Sequence, residues 1–225
     1  VYARTVPRYL REMGEYKISR LGHLGDGICA GPLFAPLTLP GECISATQDG
    51  DQLRDIRIVT PSSDRVSAPC PHFRRCGGCQ LQHASDEFLV TWKQSVVTQA
   101  LAAQGLTVQQ RAIHVSPAGS RRRASFSARR TKSGAIAGFH VRGSDQVLDI
   151  PDCTLLDPTL LAVRPAIKEL AETGTSRKSE ISCSILTPSA AAARNSTEAY
   201  RTLISPRAFW RCGGGDGRVL IDGYR

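Results

Sequence analysis

The sequence predicts a mixed β and α+β chain: a small β-barrel first, then a cysteine-rich loop leading into a helix, then a central α+β domain. Three observations carry this. Between Tyr16 and Val59, short apolar pieces alternate with glycine and proline turn signals, the pattern of a small barrel. Cys70, Cys76 and Cys79 then fall in the spacing C-x5-C-x2-C. Finally, Arg122 to Thr131 alternates, with Ala124, Phe126 and Ala128 on one face, and is followed by a hairpin signal, as expected of a strand with one buried face.

Composition sets the limits. The 225 residues, 41% hydrophobic and 22% charged, suit one large or two to three small globular domains. No apolar run is long enough to cross a membrane, and the N-terminal residues lack the succession of a signal peptide. A cytoplasmic monomer without a membrane partner is expected. In such a reducing compartment the eight cysteines read as metal ligands or buried thiols rather than disulfides. The formal charge of +9 is concentrated: residues 106 to 157 carry 8 basic and 4 acidic side chains, whereas residues 1 to 67 carry 8 of each. A polyanion such as RNA would be drawn to the middle of the chain.

Taken in order, residues 1–15 have no clear period and read as a leader, and residues 16–67 as the barrel. Its strands are expected at Tyr16 to Leu21, Ile28 to Cys29, Leu33 to Ala35, Gly41 to Ala46 and Asp55 to Val59. Gly22 to Gly27 and Gln48 to Asp51 supply turns. Pro61 to Pro69 is polar and proline-bounded, a linker. In residues 68–105, Ser85 can cap a helix with Asp86 and Glu87 in its first turn, where the helix dipole favours acids. Phe88, Leu89, Trp92, Val96 and Ala100 form its apolar stripe, expected to pack over the cysteines, with Gly105 as the stop. Residues 106–190 hold a β-meander: Arg122 to Thr131, a turn at Lys132 to Gly134, Ala135 to Arg142, and Val147 to Ile150. Asp157 caps a helix with Pro158 at its first position, kinked at Pro165, and Glu180 to Leu186 is a strand able to join the meander. Residues 191–225 read as a divergent tail with at most a strand at Arg218 to Ile221.

Three thiolates do not complete a four-coordinate cage. Cys29 and Cys43 lie in barrel strands, Cys183 on an apolar strand face and Cys212 in the tail. Cys153 follows Pro151-Asp152 at a strand end, a turn position from which a thiolate can point toward another element. The expected ligands are therefore Cys70, Cys76, Cys79 and Cys153. All-thiolate coordination suits zinc or an iron-sulfur cluster. Three clustered ligands and one remote one favour the cluster without excluding zinc. Gly77 and Gly78 are expected to provide positive φ for the curl between the last two cysteines of the loop.

With these residues in place, the chain resembles the iron-sulfur RNA (uracil-5)-methyltransferases, the 23S rRNA and tRNA uridine methylases. I-S-R-L-G-H-L-G-D-G at Ile18 to Gly27, with L-P-G-E at Leu39 to Glu42, resembles their TRAM domain, an OB-like barrel. C-P-H-F-R-R-C-G-G-C-Q-L-Q-H from Cys70 to His83 resembles their cluster motif. S-R-R-R-A-S-F, G-F-H and D-I-P-D-C, from Ser120 through Cys153, resemble their central domain and fourth ligand. The resemblance implies a 4Fe-4S cluster, an RNA partner (rRNA or tRNA) and, in the family, S-adenosylmethionine as methyl donor. In that chemistry a cysteine thiolate adds to uracil C6, the methyl group is taken at C5, and a carboxylate base removes the C5 proton.

In the family those catalytic parts lie in a C-terminal Rossmann-like domain, which this sequence is expected to lack. Cys212 to Gly217 looks superficially like a nucleotide-binding glycine loop, but no buried strand precedes it and no helix follows. No catalytic residue and no S-adenosylmethionine site is therefore identified, and the expectation is an RNA-recognition and cluster-binding portion without methyl transfer. A zinc-stabilised RNA-binding protein and a cluster-based redox protein are the alternatives. The candidate RNA contacts are Arg121, Arg123 and Arg129 on one strand face with little acidic compensation, joined by His140 and Arg142 from the next strand. Phe73 and His72 are the candidate base-stacking rings.

Overall fold

The computed structural model describes residues 13–187 and the pair 218–219. Most of the leader, the tail and the glycine loop at 212–217 lie outside the described residues. The described chain divides into two compact units, one made of residues 13–69 with 79–115, the other of residues 70–78 with 116–187 and 218–219.

The first unit is built on six strands: β1 (Met13–Lys17), β2 (Arg20–Leu21), β3 (Gly27–Cys29), β4 (Leu33–Ala35), β5 (Cys43–Asp49) and β6 (Gln52–Thr60). Their order in the sheet is β1-β5-β6-β4-β3-β2, antiparallel except for the β4–β6 pair. The two outermost strands, β1 and β2, are joined in the chain only by Ile18 and Ser19. Ile18 N–H donates to Glu42 O on the β5 side and Ser19 N–H to Ile28 O on the β3 side, 2.9 Å each. One chain segment thus serves both edges, so the sheet curls back on itself. Expected as one strand, Tyr16 to Leu21 is split at this joint, and β1 begins at Met13, inside the stretch read as leader.

Ile18, Cys29, Leu33, Ala35, Ile44, Ala46 and Leu53 fill the interior of this sheet. Gly27 lies where a Cβ would fall 2.0 Å from Thr38 Oγ1, so only glycine fits. The turns are those expected: Gly25, in the β2–β3 turn, has φ 91°, and Gly50, in the β5–β6 hairpin, has φ 65°.

Pro61 to Pro69 is pinned, not loose. The Arg65 guanidinium donates to both carboxylate oxygens of Glu42 and to Leu37 O, and Val66 N–H donates to His83 O. Helix α1 (Asp86–Ala102) starts as its sequence requires, with Ser85 Oγ accepting from Phe88 N–H at 3.2 Å and two acids in the first turn. It ends in a turn closed by Gly105 at φ 70°, with Leu106 N–H donating to Leu101 O. Phe88, Leu89 and Trp92 pack against Leu21, Leu39, Leu81 and Ala84, which gives the helix an apolar seat within the first unit. Ala100, placed in the apolar stripe by its spacing, is exposed, and only the N-terminal half of that stripe is used.

The second unit contains a five-stranded sheet ordered β11-β10-β7-β8-β9. Its strands are β7 (Arg123–Thr131), β8 (Gly134–His140), β9 (Val147–Asp149), β10 (Glu180–Leu186) and β11 (Arg218–Val219). β7, β8 and β9 form the expected meander, β10 joins β7 antiparallel, and β11 pairs with β10 in parallel. Ala124, Phe126 and Ala128 are buried on one face of β7, as their alternation predicts.

That face is covered by α2 (Pro158–Ala162) and α3 (Arg164–Gly174), which bring Leu160, Ile167 and Ala171 to a shared core with Cys183 and Ile185. Asp157 caps α2 by accepting from Thr159 N–H, and the helix axis breaks just before Pro165. Asp149 ties the edge strand to α3. Burial alone would raise its carboxyl, but donation from Ala137 N–H, Lys168 Nζ and Arg164 holds it below the usual range. No helix among the described residues is long and apolar enough to cross a membrane.

Candidate metal centre and nucleic-acid face

The cysteine loop is built from its own turns outward. His72 O accepts from both Arg75 N–H (3.0 Å) and Cys76 N–H (2.7 Å), while Phe73 N–H donates to Cys70 O (3.2 Å), coiling residues 70–76 into a compact bend. The bend is then stitched to the end of β8. Gly77 N–H donates to His140 O at 2.9 Å, Arg142 N–H donates to Arg75 O at 2.8 Å, and Cys76 bridges to Val141. A side chain at 77 would put its Cβ 3.1 Å from His140 O, so Gly77 permits this close approach. The expected left-handed curl at these two glycines is corrected: Gly77 serves close approach to His140 O, and neither residue has the positive φ that a curl would use.

Cys70 and Cys76 are buried, at 8% and 6% exposure, and Cys153 is half-buried. Cys79 is half-buried and opens the second stretch of the first unit. Burial pushes the Cys76 thiol above its ordinary value. The Cys153 and Cys70 sulfurs push the same way, while the N–H of Gly78, 3.3 Å from Cys76 Sγ, and the Arg142 charge pull against them.

Cys76 therefore lies within electrostatic reach of the Cys70 and Cys153 thiols. Among the described residues, no three His, Cys, Asp or Glu side chains converge closely enough to hold a metal ion as they stand. The donor set nonetheless suits a thiophilic metal. Crowded, buried thiols resist ionisation alone and lose their protons readily to a cation, and the Gly78 N–H already points at one sulfur.

Around the loop, His72 Nε2 is 2.6 Å from Asp152 Oδ1, and the Arg142 guanidinium lies 5.9 Å from the centre of the Phe73 ring. Phe73 is only 4% exposed, which removes it as a base-stacking platform. His72 is held by Asp152. Both rings were candidates because they lie beside the cysteines; the partner of each lies about 70 to 80 positions away in the chain.

The arginine face is partly neutralised. Glu180, at the start of β10, stands in register with Arg129 of β7. One of its oxygens is 3.4 Å from Arg129 Nη2 and the other is 2.9 Å from His140 Nε2. The expected lack of acidic compensation is thus corrected for Arg129 and His140. Arg142 is half-buried over Phe73.

At the opposite end of β7, Arg121, Arg122 and Arg123 are all exposed. Their backbone is fixed: Arg121 N–H donates to Leu155 O, Asp157 N–H to Arg121 O, and Thr187 N–H to Arg122 O. Arg122 also lies within electrostatic reach of Asp157. Arg121 and Arg123 form no ion pair among the described residues. A rigid backbone carrying free guanidinium groups is suited to phosphate oxygens. Glu180 could have been found from sequence only by first pairing β10 with β7, since the alternation of each strand then sets the register.

No protein-family model matches the chain. Curated relatives do. An uncharacterised RNA methyltransferase of Rhizobium meliloti is 38% identical over 167 residues, covering 70% of this chain and 40% of its own length. One from Caulobacter vibrioides is 38% identical over 166 residues, covering 71% of this chain and 40% of its own length. The chain belongs to this family of RNA methyltransferases. Its relatives there include the 23S rRNA (uracil(1939)-C(5))-methyltransferase RlmD of Alkalilimnicola ehrlichii, 34% identical over 164 residues, covering 67% of this chain and 37% of the relative. The chain spans about two fifths of the length of the relatives it matches. Among solved structures, a Pyrococcus abyssi tRNA (uracil-54, C5)-methyltransferase in complex with S-adenosyl-L-homocysteine aligns with TM-score 0.48 and 23% identity. It covers 71% of this chain and 37% of that one, a likeness that adds nothing to the sequence relationship.

Proposed function

We propose that this chain supplies the RNA-recognition and cluster-binding part of an S-adenosylmethionine-dependent methyltransferase acting on uridine C5 in rRNA or tRNA. The observation that carries the reading is the cysteine loop. Cys70, Cys76 and Cys79 stand in a motif spacing that resembles the iron-sulfur members, in a chain related to RNA methyltransferases, and Cys76 feels the charge of both Cys70 and Cys153. Cys79, which follows Gly78 directly in the chain, is the remaining ligand.

A 4Fe-4S cluster, when bound, cross-links sequence-distant segments and stabilises the fold that loading completes. The residues on this chain then do the work of recognition. The curled first unit takes the place of a TRAM domain, and Arg121 and Arg123, with Arg122 beside them, contact RNA phosphates. Arg129, His140 and Arg142 extend the same face less strongly, because Glu180 and Phe73 already engage them. S-adenosylmethionine would supply the methyl group; none of the described residues is assigned a part in its transfer.

The test is the purified chain itself. Anaerobic preparations should absorb broadly near ~400 nm with about four irons per chain, as thiolate-held clusters do. The chain should bind uridine-containing RNA with an affinity that falls steeply as salt is raised. Colourless protein with one zinc would replace the cluster by a zinc site. Affinity indifferent to salt would remove the arginines from the interface.

A further inference from the structure

We propose that His72 and Asp152 form a latch that positions the two cysteine-bearing segments of the second unit for metal capture. The inference rests on the metal reading of the cysteine loop and names the residues that prearrange it. His72 sits between Cys70 and Cys76, and Asp152 immediately precedes Cys153. Their side chains meet at 2.6 Å across 80 positions of sequence.

The pair is placed where a ligand set needs help. Cys70 and Cys76 are carried by one bend and Cys153 by the turn after β9, and each segment is short and lacks regular structure at the cysteine itself. The backbone stitching described above, Gly77 to His140 and Arg142 to Arg75, fixes the bend to the end of β8. Those two bonds do not reach Cys153. A side-chain contact that does span from the bend to the Pro151 to Cys153 turn is that between His72 Nε2 and Asp152 Oδ1.

His72 fixes both ends of the problem. Its carbonyl closes the bend by accepting from Arg75 and Cys76, while its ring, with the proton on Nε2, donates to the Asp152 carboxylate. The ring therefore ties the turn that orients Cys76 to the residue beside Cys153. Asp152 is well exposed, so the pair adds little to the stability of the unit as a surface interaction. Its consequence is geometric. The pair joins the backbone segments that carry the ligands, and the tenfold or greater loss typical of removing a partner bonded directly to a ligand sets the scale of the effect tested.

The experiment uses the whole chain, loaded anaerobically with iron and sulfide, and follows release to a chelator by loss of the charge-transfer absorbance and by metal assay. Asp152→Ala and His72→Ala should each release metal about tenfold faster than the parent. His72→Gln, which keeps a donor at the reach of Nε2, should recover most of the difference. The thermal midpoint of the metal-free chain should move little in any of them, which a purely structural role would not allow.

Equal release rates in the parent and both alanine variants overturn the latch while leaving the metal reading in place. A parent chain that takes up neither iron nor zinc overturns the metal reading and the latch together. A metal-free midpoint that falls in parallel with metal retention assigns the pair to folding and overturns the latch as well.

Discussion

Glu42 in the first unit and Glu180 in the second each hold an arginine, and the difference between them separates a device of the fold from a device of the surface. Glu42 is fully buried; both its oxygens accept from Arg65, and Leu39 N–H and Ser62 N–H complete its shell. Burial alone would raise its carboxyl, but these hydrogen bonds outweigh that and hold it below the usual range. Glu180 keeps about a quarter of its side chain in solvent and divides its oxygens between Arg129 and His140, themselves 34% and 46% exposed. The first carboxylate locks Pro61 to Pro69 against the curled sheet. The second sets how much positive charge the open face of the central sheet presents.

Removing one partner from the buried pair should have the largest effect. Arg65→Ala leaves Glu42 buried without its counter-charge and should cost about 3–5 kcal/mol, read as a fall in the denaturant midpoint at neutral pH. The pH dependence follows from the depressed carboxyl. In the parent, stability from Glu42 is fully present above the unfolded value of about 4.3 and is lost as pH falls through the lower folded value. In Arg65→Ala, protonation relieves the unpaired charge, so the gap between variant and parent should close as the solution is acidified through the carboxylate range. A gap unchanged between pH 7 and pH 4 would sink the account of Glu42 as a buried ion.

What could be read in advance divides along the same line. Features fixed within a few residues were legible: the turns that contain Gly25 and Gly50, the Ser85 and Asp157 caps, and the inward face of Ala124, Phe126 and Ala128. Each depends on a local period or on a backbone conformation open mainly to one residue type. The strand at Met13–Lys17 was not legible over its first residues, because it pairs only with β5 and shows no buried residue there to mark a period.

Partners far apart in sequence were invisible too. Arg65 reads as part of a polar linker until Glu42, 23 positions earlier, closes on it. Gly77 looked like a bend residue until His140 O came beneath it. The cysteine spacing was legible, whereas the meeting of His72 with Asp152 was not, since nothing in either segment announces the other.

The surface side of the comparison gives the smaller, salt-sensitive effects. Arg121→Ala with Arg123→Ala should lower RNA affinity about tenfold near ~0.1 M salt and reduce the slope of log affinity against log salt by about two, one for each phosphate no longer neutralised. A double variant with the parent's slope would take both arginines out of the interface. Folding should be unaffected, because both side chains are exposed and their backbone bonds are unchanged.

The smallest effect, and the sharpest for the comparison, belongs to Glu180→Gln. If the half-buried carboxylate restrains Arg129 and His140, replacing it with a neutral amide should tighten RNA binding about threefold at low salt. The gain should shrink as ionic strength rises, because charges this exposed are screened within about a Debye length. The same change should leave the denaturant midpoint within about 0.5 kcal/mol of the parent, the range expected of a surface pair. The opposite result, a loss of stability with no gain in binding, would make Glu180 a second Glu42: a residue that holds the strand order β10-β7-β8 together instead of tuning what its face attracts.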